Sequence, residues 1–445
     1  MRSSISLAKV WFAASLAILS FGYGFASHAW DLFPKSYVQR AWRQALTLYG
    51  LDATTRQLAI PRMYDRHGVR RVQPQKTQPG LVLITNSWTW DKATNLESGA
   101  KLIDRRGRTL HEWHPDKGVL FPDSLGKTRR DLARTDFDGS YLLPNGDLIL
   151  ILGYIGAVRL DACGNVRWRL QEGNHHYFSR SEDGSFWMPG TSSTPQRKTS
   201  QHPDGFEGIE KPVWMDQVLH VGEDGTVIDR VNVLDLLYEN DLKRHIVKGY
   251  GPYAKDVNRD PVHLNDVEPL GASMAEEYPL FEAGDLLLSL RHPSLVLVFD
   301  PDSGRVRWHN SRLLLHQHDP DFTGEGWIGV FDNNDDFTER GTMLGGSRIV
   351  ALQPHTDSTR IRFPTRHSAP FYTSVQGQWQ NLENGNLLLT ESRAGRVVEV
   401  TPDGRTAWEW IHEPYSSSQV PVVTGASYHD LTRNRVRSWS CSPTE

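Results

Sequence analysis

A strand–turn–strand unit recurs along this 445-residue chain and constrains its fold more than any other feature. Each copy has an apolar strand, a turn that carries Asp or Asn with Gly, a second apolar strand, and a closing tryptophan. The four clearest copies end at Trp113, Trp168, Trp308 and Trp408. Turn runs such as P-N-G and P-D-G supply the backbone conformations that tight hairpins need. The pattern therefore predicts antiparallel hairpins.

The spacing of the closing tryptophans indicates how many units there are. Their gaps are 55, 140 and 100 residues, and each of the two wider gaps has room for one more copy. One extra copy is Val218–Ile228, and the other ends near Ser347–Leu352. About six units of roughly 55–80 residues are typical of a β-propeller, because radial closure leaves few free strand edges. We predict an all-β, six-bladed propeller over residues 79–415, with a β-sandwich or several small β domains as the alternative.

The first thirty residues predict export. Arg2 and Lys9 precede an apolar run, Val10 to Ala26, whose length of about 17 residues is near the minimum for a membrane span. The run is either an uncleaved membrane anchor, because aromatic residues flank it, or a signal peptide that is cleaved near Ser27 and Ala29. The first interpretation places an inner-membrane-anchored propeller in the periplasm or outside the cell, and the second predicts a secreted protein.

The remaining segments complete the predicted domain organisation. Residues 1–30 are the anchor or signal, 31–78 are a helical segment (Ser36 to Gly50) and linker, and 416–445 are a C-terminal tail. The net charge of −4 argues against nucleic acid as a partner. Two cysteines, Cys163 and Cys441, are too few for a disulfide framework or a cysteine zinc site.

Polar residues cluster where the predicted blades begin. A propeller places the start of each innermost strand beside the central channel, so such residues converge from distant parts of the chain. Four segments carry them: H-H at 175–176, H-L-N-D at 263–266, R-H at 291–292 and H-Q-H-D at 316–319. A single histidine here is usually structural, but histidines at three blade starts indicate a shared site.

These motifs resemble those of a known family. The runs H-L-N-D, L-L-L-S-L-R-H-P-S, Q-H-D and V-F-D-N-N, in that order, are similar to bacterial arylsulfotransferases. The run Q-N-L-E-N-G-N-L-L-L-T-E-S-R resembles the last blade of that superfamily. Members of the family move a sulfuryl group between phenols without a nucleotide sulfate donor. They are six-bladed propellers of the periplasm or cell surface, and a histidine becomes sulfated during turnover.

The resemblance implies roles for individual residues. His318 in Q-H-D matches the histidine that becomes sulfated, and His263 and Arg291 match the residues that hold the sulfate oxygens. A further donor is implied at Asn265. The histidine of an earlier blade matches His176, or His175 if the register slips by one. His292, next to Arg291, completes the predicted substrate-binding residues.

The chemistry of these residues suits sulfuryl transfer. A neutral imidazole is a competent nucleophile near pH 7, and the arginine fork of donors fits an oxyanion. His176 is the predicted general acid and base at the phenol oxygen. The predicted partners are an aryl sulfate, a phenol and, through the N-terminal helix, the membrane; a homodimer stays open. No metal or cofactor is needed. Trp187, Trp327 and Tyr372 are candidate aromatic contacts for the phenol.

Two other functions stay open at this stage. His176, His263 and His318 could bind zinc or iron, with Asp266 or Asp319 nearby, in a lyase or hydrolase. Arg291 counts against a metal, because a cation beside a metal ion is unfavourable. The other alternative is a non-catalytic propeller that serves as an anchored binding or scaffold module of the cell envelope. The acidic run 332–336 is either a calcium ligand set or, as we favour, an exposed turn.

Overall fold

The computed structural model describes residues 7–29, 58–90, 96–122, 135–246 and 259–439. The chain divides into two units, residues 1–57 and 58–445. The first contains helix α1 (Leu7–Ala29), and the predicted helix Ser36 to Gly50 lies outside the described residues. Within the described ranges, no helix combines the length and apolar character that crossing a bilayer requires. That α1 is an anchor or a signal peptide stays a prediction.

The second unit is a six-bladed β-propeller, which confirms the predicted fold class. It begins with β1 (Ala59–Pro61) and β2 (Gly68–Arg71). Blade 1 contains β3 (Leu81–Trp88), β4 (Glu97–Asp104) and β5 (Thr109–Trp113). Blade 2 contains β6 (Phe137–Leu142), β7 (Leu148–Leu152), β8 (Gly156–Leu160) and β9 (Val166–Leu170). Blade 3 contains β10 (Ser179–Arg180), β11 (Phe186–Thr191), β12 (Asp216–Val221) and β13 (Val227–Asn232).

The other three blades have the same antiparallel order. Blade 4 contains β14 (Leu264–Pro269), β15 (Leu286–Leu290), β16 (Leu295–Asp300) and β17 (Arg305–Asn310). Blade 5 contains β18 (His318–Phe322), β19 (Ile328–Asp332), β20 (Arg348–Gln353) and β21 (Ser358–Phe363). Blade 6 contains β22 (Trp379–Asn381), β23 (Leu387–Glu391), β24 (Arg396–Val400) and β25 (Thr406–Ile411). The chain then forms β26 (Gln419–Pro421) and β27 (Val423–His429). The short helices are α2 (Lys117–Leu120), α3 (Val233–Glu239) and α4 (Arg433–Arg437).

Both ends of this unit close the ring. The last strand, β27, pairs with β3 and is the innermost strand of blade 1, with Ser427 opposite Leu83. At the other end, β2 adds an outer strand to blade 6 by pairing with β25, and β1 pairs with β26. The sheets therefore take in residues on both sides of the predicted range 79–415. Pairing across the closure removes the free edges that an open ring would expose.

The closing tryptophans join neighbouring blades. The indole Nε1 of Trp113 in blade 1 donates to the Asp161 carbonyl of blade 2 at 3.2 Å. In the same way Trp168 donates to Glu223 of blade 3 at 3.0 Å, and Trp408 of blade 6 donates to Arg105 of blade 1 at 3.0 Å. A buried or half-buried indole needs a partner for its N–H, and here the partner is always the next blade. The repeated tryptophan thus holds the ring together.

The C-terminal residues dock on blade 2. The indole of Trp439 packs on Gly146, whose φ of 92° and close ring contact leave no room for a Cβ, and its Nε1 donates to the Pro144 carbonyl at 3.2 Å. Cys163 of the same blade is disulfide-bonded. The other cysteine of the sequence, Cys441, lies outside the described residues.

Candidate active site

The topology brings the predicted polar segments to one end of the ring. Each of blades 2 to 6 begins with its innermost strand, and the innermost strands of neighbouring blades contact one another. Because the strands alternate in direction, the segment that enters a blade and the connection between its second and third strands lie at the same end. His176, His263 and His318 are on entering segments, and Tyr154 and Arg291 are on second-to-third connections. These side chains from four blades therefore share one face.

His318 is buried and held in one tautomer. Its Nδ1 lies 2.6 Å from Oδ1 of Asn333, and the Asn333 amide nitrogen donates to the carbonyls of Thr373 at 2.8 Å and Gln376 at 2.7 Å. Those two carbonyls require the amide nitrogen to face them, so the amide oxygen must accept a hydrogen from His318 Nδ1. Burial and the Arg291 cation lower the pKa of His318 well below its ordinary value. The ring is therefore neutral, with its lone pair on Nε2.

His263 carries its own carboxylate. Its Nδ1 lies 2.6 Å from Oδ2 of Asp260, which also accepts the His263 backbone N–H through Oδ1 at 3.0 Å. Burial lowers the pKa of His263 to about 4, although Asp260 favours the protonated form. An ionised carboxylate can only accept, so Nδ1 of the neutral ring carries the hydrogen and Nε2 has the lone pair. The Tyr154 hydroxyl lies 3.4 Å from the same Nδ1.

Arg291 is a cation without a counter-ion in contact. Its backbone N–H donates to the His263 carbonyl at 3.0 Å, which places the two residues side by side. Its side chain makes no hydrogen bond or ion pair with the part of the chain that the structure describes. Burial lowers the pKa of the guanidinium, whereas the charges of Asp335, Tyr154 and Asp260 raise it. An arginine with open donors beside neutral histidines is suited to bind an anion.

The structure separates the roles of the two adjacent histidines. The ring of His176 lies 4.8 Å from the ring of His263 and 6.3 Å from that of His318. His175 is fully buried, stacks on Tyr154 at 4.5 Å, and has Nε2 3.7 Å from an Asp216 carboxylate oxygen. The two Nδ1 atoms are 2.8 Å apart. Of the two, His176 faces the other histidines, and His175 lies behind it.

Left-handed backbone is concentrated around these side chains. Six residues of the site face have positive φ between 47° and 63°: Tyr154, His176, His263, His316, Asp319 and Gln376. Non-glycine residues adopt this region at a cost of about 1–3 kcal/mol each, and such strain clusters at functional sites. The surrounding hydrogen bonds maintain a geometry that local backbone preference would not select.

A comparison with protein families matches the arylsulfotransferase (ASST) model to residues 141–413. The chain belongs to the arylsulfotransferase family. This confirms the resemblance predicted from the motifs, and the match includes Tyr154, His176, His263, Arg291 and His318. No curated protein sequence gives a significant match.

Several solved structures share features of this arylsulfotransferase-family chain at low identity. A protein of unknown function from Bacteroides caccae is 12% identical, with 78% of this chain and 99% of the other covered and a TM-score of 0.48. Virginiamycin B lyase from Staphylococcus aureus is 9% identical, with 62% and 70% covered and a TM-score of 0.35. Hydrazine synthase from Kuenenia stuttgartiensis is 11% identical, with 68% and 71% covered and a TM-score of 0.37. At these scores the similarities carry no information about function.

Two other predicted site residues support this family site from its edge. The amide nitrogen of Asn265 donates to the Gln317 carbonyl at 2.8 Å and so links β14 to the residue before His318. The ring of His292 lies 4.6 Å from that of His263, and its Nδ1 is 2.7 Å from the Asp260 carbonyl oxygen. Both side chains are thus engaged with neighbouring protein groups.

The acidic run 332–336 corrects one prediction, because it is buried and is not an exposed turn. Asp332 pairs with Arg348, and Asn333 holds His318. Asp335 accepts from the Tyr372 hydroxyl at 3.0 Å and lies 3.1 Å from His316 Nδ1. The run turns inward because these hydrogen bonds satisfy its side chains. Of the predicted aromatic contacts, Tyr372 joins the site, whereas Trp187 stacks on His220 and Trp327 lies under Arg360.

Three residues of the site were missed by the sequence interpretation. Asn333 lies in the V-F-D-N-N run that carried the family resemblance, so its position was a usable signal. Asp260 precedes His263 by three residues, a spacing that lets a carboxylate cap the histidine. Tyr154, in a turn between two apolar strands, had no distinguishing sequence signal.

The predicted metal set is not assembled. Among the described residues, one group places three ligand atoms within 4.8 Å of one another: Asp260, His263 and His292. Its histidine Nδ1 atoms already face oxygens of Asp260, and Arg291 lies beside it. The set His176, His263 and His318 does not form such a group in this part of the chain.

Four carboxyl groups, Asp266, Glu268, Asp319 and Asp321, lie on the innermost strands β14 and β18. Burial and the mutual repulsion of these groups raise the pKa of Glu268 to about 7 and of Asp319 to about 8, and raise those of Asp266 and Asp321 further. Glu268 and Asp321 are hydrogen-bonded to each other. Asp319 also accepts the Trp379 N–H of blade 6 at 2.7 Å. The cluster therefore holds protons at neutral pH.

Proposed function

We propose that this protein moves a sulfuryl group from a phenolic sulfate ester to a phenolic acceptor through a sulfated His318, without a nucleotide sulfate donor. The proposal rests on one observation above all: Asn333 fixes the lone pair of His318 on Nε2, next to an arginine with no partner in contact. A nucleophile and an oxyanion-binding cation side by side are the two groups that sulfuryl transfer needs.

In the first half-reaction, His318 Nε2 attacks the sulfur of the aryl sulfate. The N–S bond forms as the bond from sulfur to the phenol oxygen breaks, and the phenolate leaves with that electron pair. Arg291 donates to the sulfate oxygens, whose charge it can balance because no carboxylate contacts it. The Asn333 oxygen supports the charge that develops on the imidazole through Nδ1–H.

In the second half-reaction, the acceptor phenol attacks the same sulfur. Its proton passes to His263 Nε2, which Asp260 makes basic by accepting from Nδ1–H. The S–N bond breaks, and the electron pair returns to His318. The next leaving phenolate takes the proton from His263. We thus assign His263 to proton transfer, because its neutral Nε2 accepts hydrogen bonds and cannot donate one to sulfate. His176 lines the site between the two rings.

We also propose that the protein is exported. The apolar helix Leu7–Ala29 follows Arg2, and Cys163 is disulfide-bonded. Disulfides persist in oxidising compartments such as the periplasm and the extracellular space. Anchorage of the propeller at the inner membrane through this helix belongs to the same proposal. Cell fractionation with and without carbonate extraction, followed by N-terminal sequencing, separates an anchored protein from a cleaved and secreted one.

The test of the catalytic proposal uses the full chain with p-nitrophenyl sulfate as donor, phenol as acceptor and a chelator throughout. We expect nitrophenol release that depends on phenol and is lost in His318→Ala. A donor-only incubation followed by mass spectrometry should find one sulfuryl group on the peptide that contains His318. Circular dichroism of the variant controls for folding. Turnover that persists in His318→Ala would reject the proposal.

The same assay addresses the two alternatives. Turnover that the chelator abolishes and zinc restores would favour a metal site at Asp260, His263 and His292. Absence of turnover, with specific binding of an envelope component, would favour a scaffold module.

A further inference from the structure

Phe337 lies where neither burial nor backbone preference explains it. It belongs to the connection 333–347 between β19 and β20, which is at the same end of the ring as the site. Its side chain is 82% exposed, and its φ is 60°. A bulky residue in the left-handed region is a genuine outlier, and an exposed phenyl ring gains no burial in return. Both costs indicate that the ring has a use outside the fold.

The loop holds Phe337 in this position through carboxylates. The Phe337 N–H donates to Oδ1 of Asp335 at 3.1 Å. Asp336 accepts the N–H groups of Thr338 at 2.9 Å, Met343 at 2.7 Å and Leu344 at 2.9 Å, which closes the loop on itself. The phenyl ring is thus presented by a fixed backbone and does not depend on a partner for its position.

The same carboxylate joins the loop to the site. Asp335 contacts Phe337, the Tyr372 hydroxyl and the ring of His316, two residues before His318. The phenyl ring of Phe337 lies 6.1 Å from the His316 ring, edge to face. The charge of Arg291 acts on both Asp335 and His316. Phe337 is therefore an apolar surface next to the cation that we assign to the sulfate.

We infer that Phe337 forms the aryl-binding surface of the site and selects aromatic over aliphatic substrates. The inference rests on the proposed function and specifies its substrate class. In a double displacement at His318, the leaving phenol departs from the position that the acceptor phenol then occupies. One aryl surface therefore serves both substrates. Ring contacts of this kind contribute beyond their buried area, so loss of the ring should weaken donor and acceptor in parallel.

A binding experiment tests this independently of turnover. Isothermal titration of the full chain compares benzenesulfonate with cyclohexanesulfonate, two non-reacting anions of similar size. We expect the wild type to bind the aromatic anion about three- to tenfold more tightly, and Phe337→Ala to lose this preference while keeping the weaker common affinity. Phe337→Trp should retain it. Met343→Ala is the matched control, because Met343 is exposed on the same loop, at 67%, without a contact to His316.

The outcomes are distinct from those of the turnover assay. If the wild type shows no aromatic preference, or Phe337→Ala retains it, the inference is wrong even if sulfuryl transfer occurs. If the preference depends on Phe337 but no transfer is found, the aryl site stands and the catalytic proposal falls. Where transfer occurs, Phe337→Ala should raise the KM of donor and acceptor by similar factors with kcat nearly unchanged. A change in oligomeric state or in vesicle binding in place of these effects would assign the exposed ring to a second copy or to a lipid surface and overturn the inference.

Discussion

The Nδ1 atom of His318 lies 2.6 Å from Oδ1 of Asn333, and the Asn333 amide cannot rotate without losing its hydrogen bonds to two backbone carbonyls. The tautomer of the histidine is thus set by the backbone of the loop that enters blade 6. This gives a neutral imidazole a defined nucleophilic atom without a carboxylate partner. The absence of a charge at that position also keeps the pKa of His318 low.

Replacing Asn333 should affect the chemical step more than binding. In Asn333→Leu, Nδ1 of His318 loses its acceptor, so both tautomers become populated and the developing charge is no longer supported. We expect kcat to fall by roughly 10²-fold or more, with the donor KM changed by less than about threefold. Steady-state kinetics with p-nitrophenyl sulfate measure both. Asn333→Asp retains an acceptor and should raise the pKa of His318, which would appear as a shifted acidic limb in the pH profile.

Removing the Arg291 charge should abolish anion binding at the site. Arg291→Met keeps an unbranched side chain but loses every donor, so we expect kcat/KM for aryl sulfates to fall by about 10²–10³-fold. Added sulfate should raise the melting temperature of the wild type and leave that of Arg291→Met unchanged. Arg291→Lys is the control and should recover part of both effects. Equal stabilisation of all three proteins by sulfate would contradict the assignment.

The rate should be insensitive to pH around neutrality. The pKa of His263 is lowered to about 4 and that of His318 further, so both rings are neutral and can accept a proton or attack sulfur above about pH 6. As the pH falls towards 4, protonation of His263 removes the lone pair that takes the phenol proton, and kcat/KM should decline. Asp260→Asn should reduce the rate across the whole range, because the ring loses the acceptor that orients it. A plateau that begins only above pH 7 would show that the base has an ordinary histidine pKa.

The carboxyl cluster in the channel predicts a stability that falls as the pH rises. The pKa of Glu268 is about 7 in the folded protein, against an ordinary value of 4.5. A raised folded pKa favours folding most below 4.5, and this contribution is lost as the pH rises through 7. We expect Glu268→Gln, which stays neutral and retains the shape, to raise the melting temperature at pH 8 relative to the wild type. Differential scanning calorimetry at pH 5 and pH 8 should show that the gain is confined to the higher pH.

The repeat made the blades predictable, because the signals of a hairpin lie within about a dozen residues. The ring closure was not predictable in this way. The partner of β27 is β3, more than 300 residues earlier, so Val423–His429 shows no nearby turn or second strand and resembles a tail. The same reason explains β2, which pairs with β25 at the far end of the sequence.

The site divides along a similar line. His176, His263 and His318 precede innermost strands, so the repeat located them, and family motifs gave them roles. The residues that set their protonation, such as Asp260 and Asn333, act through single hydrogen bonds. Those bonds depend on left-handed backbone and on the approach of a neighbouring blade, neither of which leaves a periodic pattern. Sequence therefore located the reacting groups better than the groups that prepare them.

The innermost strand of blade 1 is made from Val423–His429, near the last residues to be synthesised. Until that segment emerges, blade 1 lacks its channel-side strand, and the first and last blades cannot lock together. The histidines of blades 3, 4 and 5 and the arginine between them are translated long before this moment, yet the ring that holds them in register does not exist. The cell thus produces an inert polypeptide for nearly the whole duration of translation, and competence is acquired in a single terminal event. A protein that must first be transported as an unfolded thread benefits from this ordering, since premature assembly is prevented by the route of the chain itself.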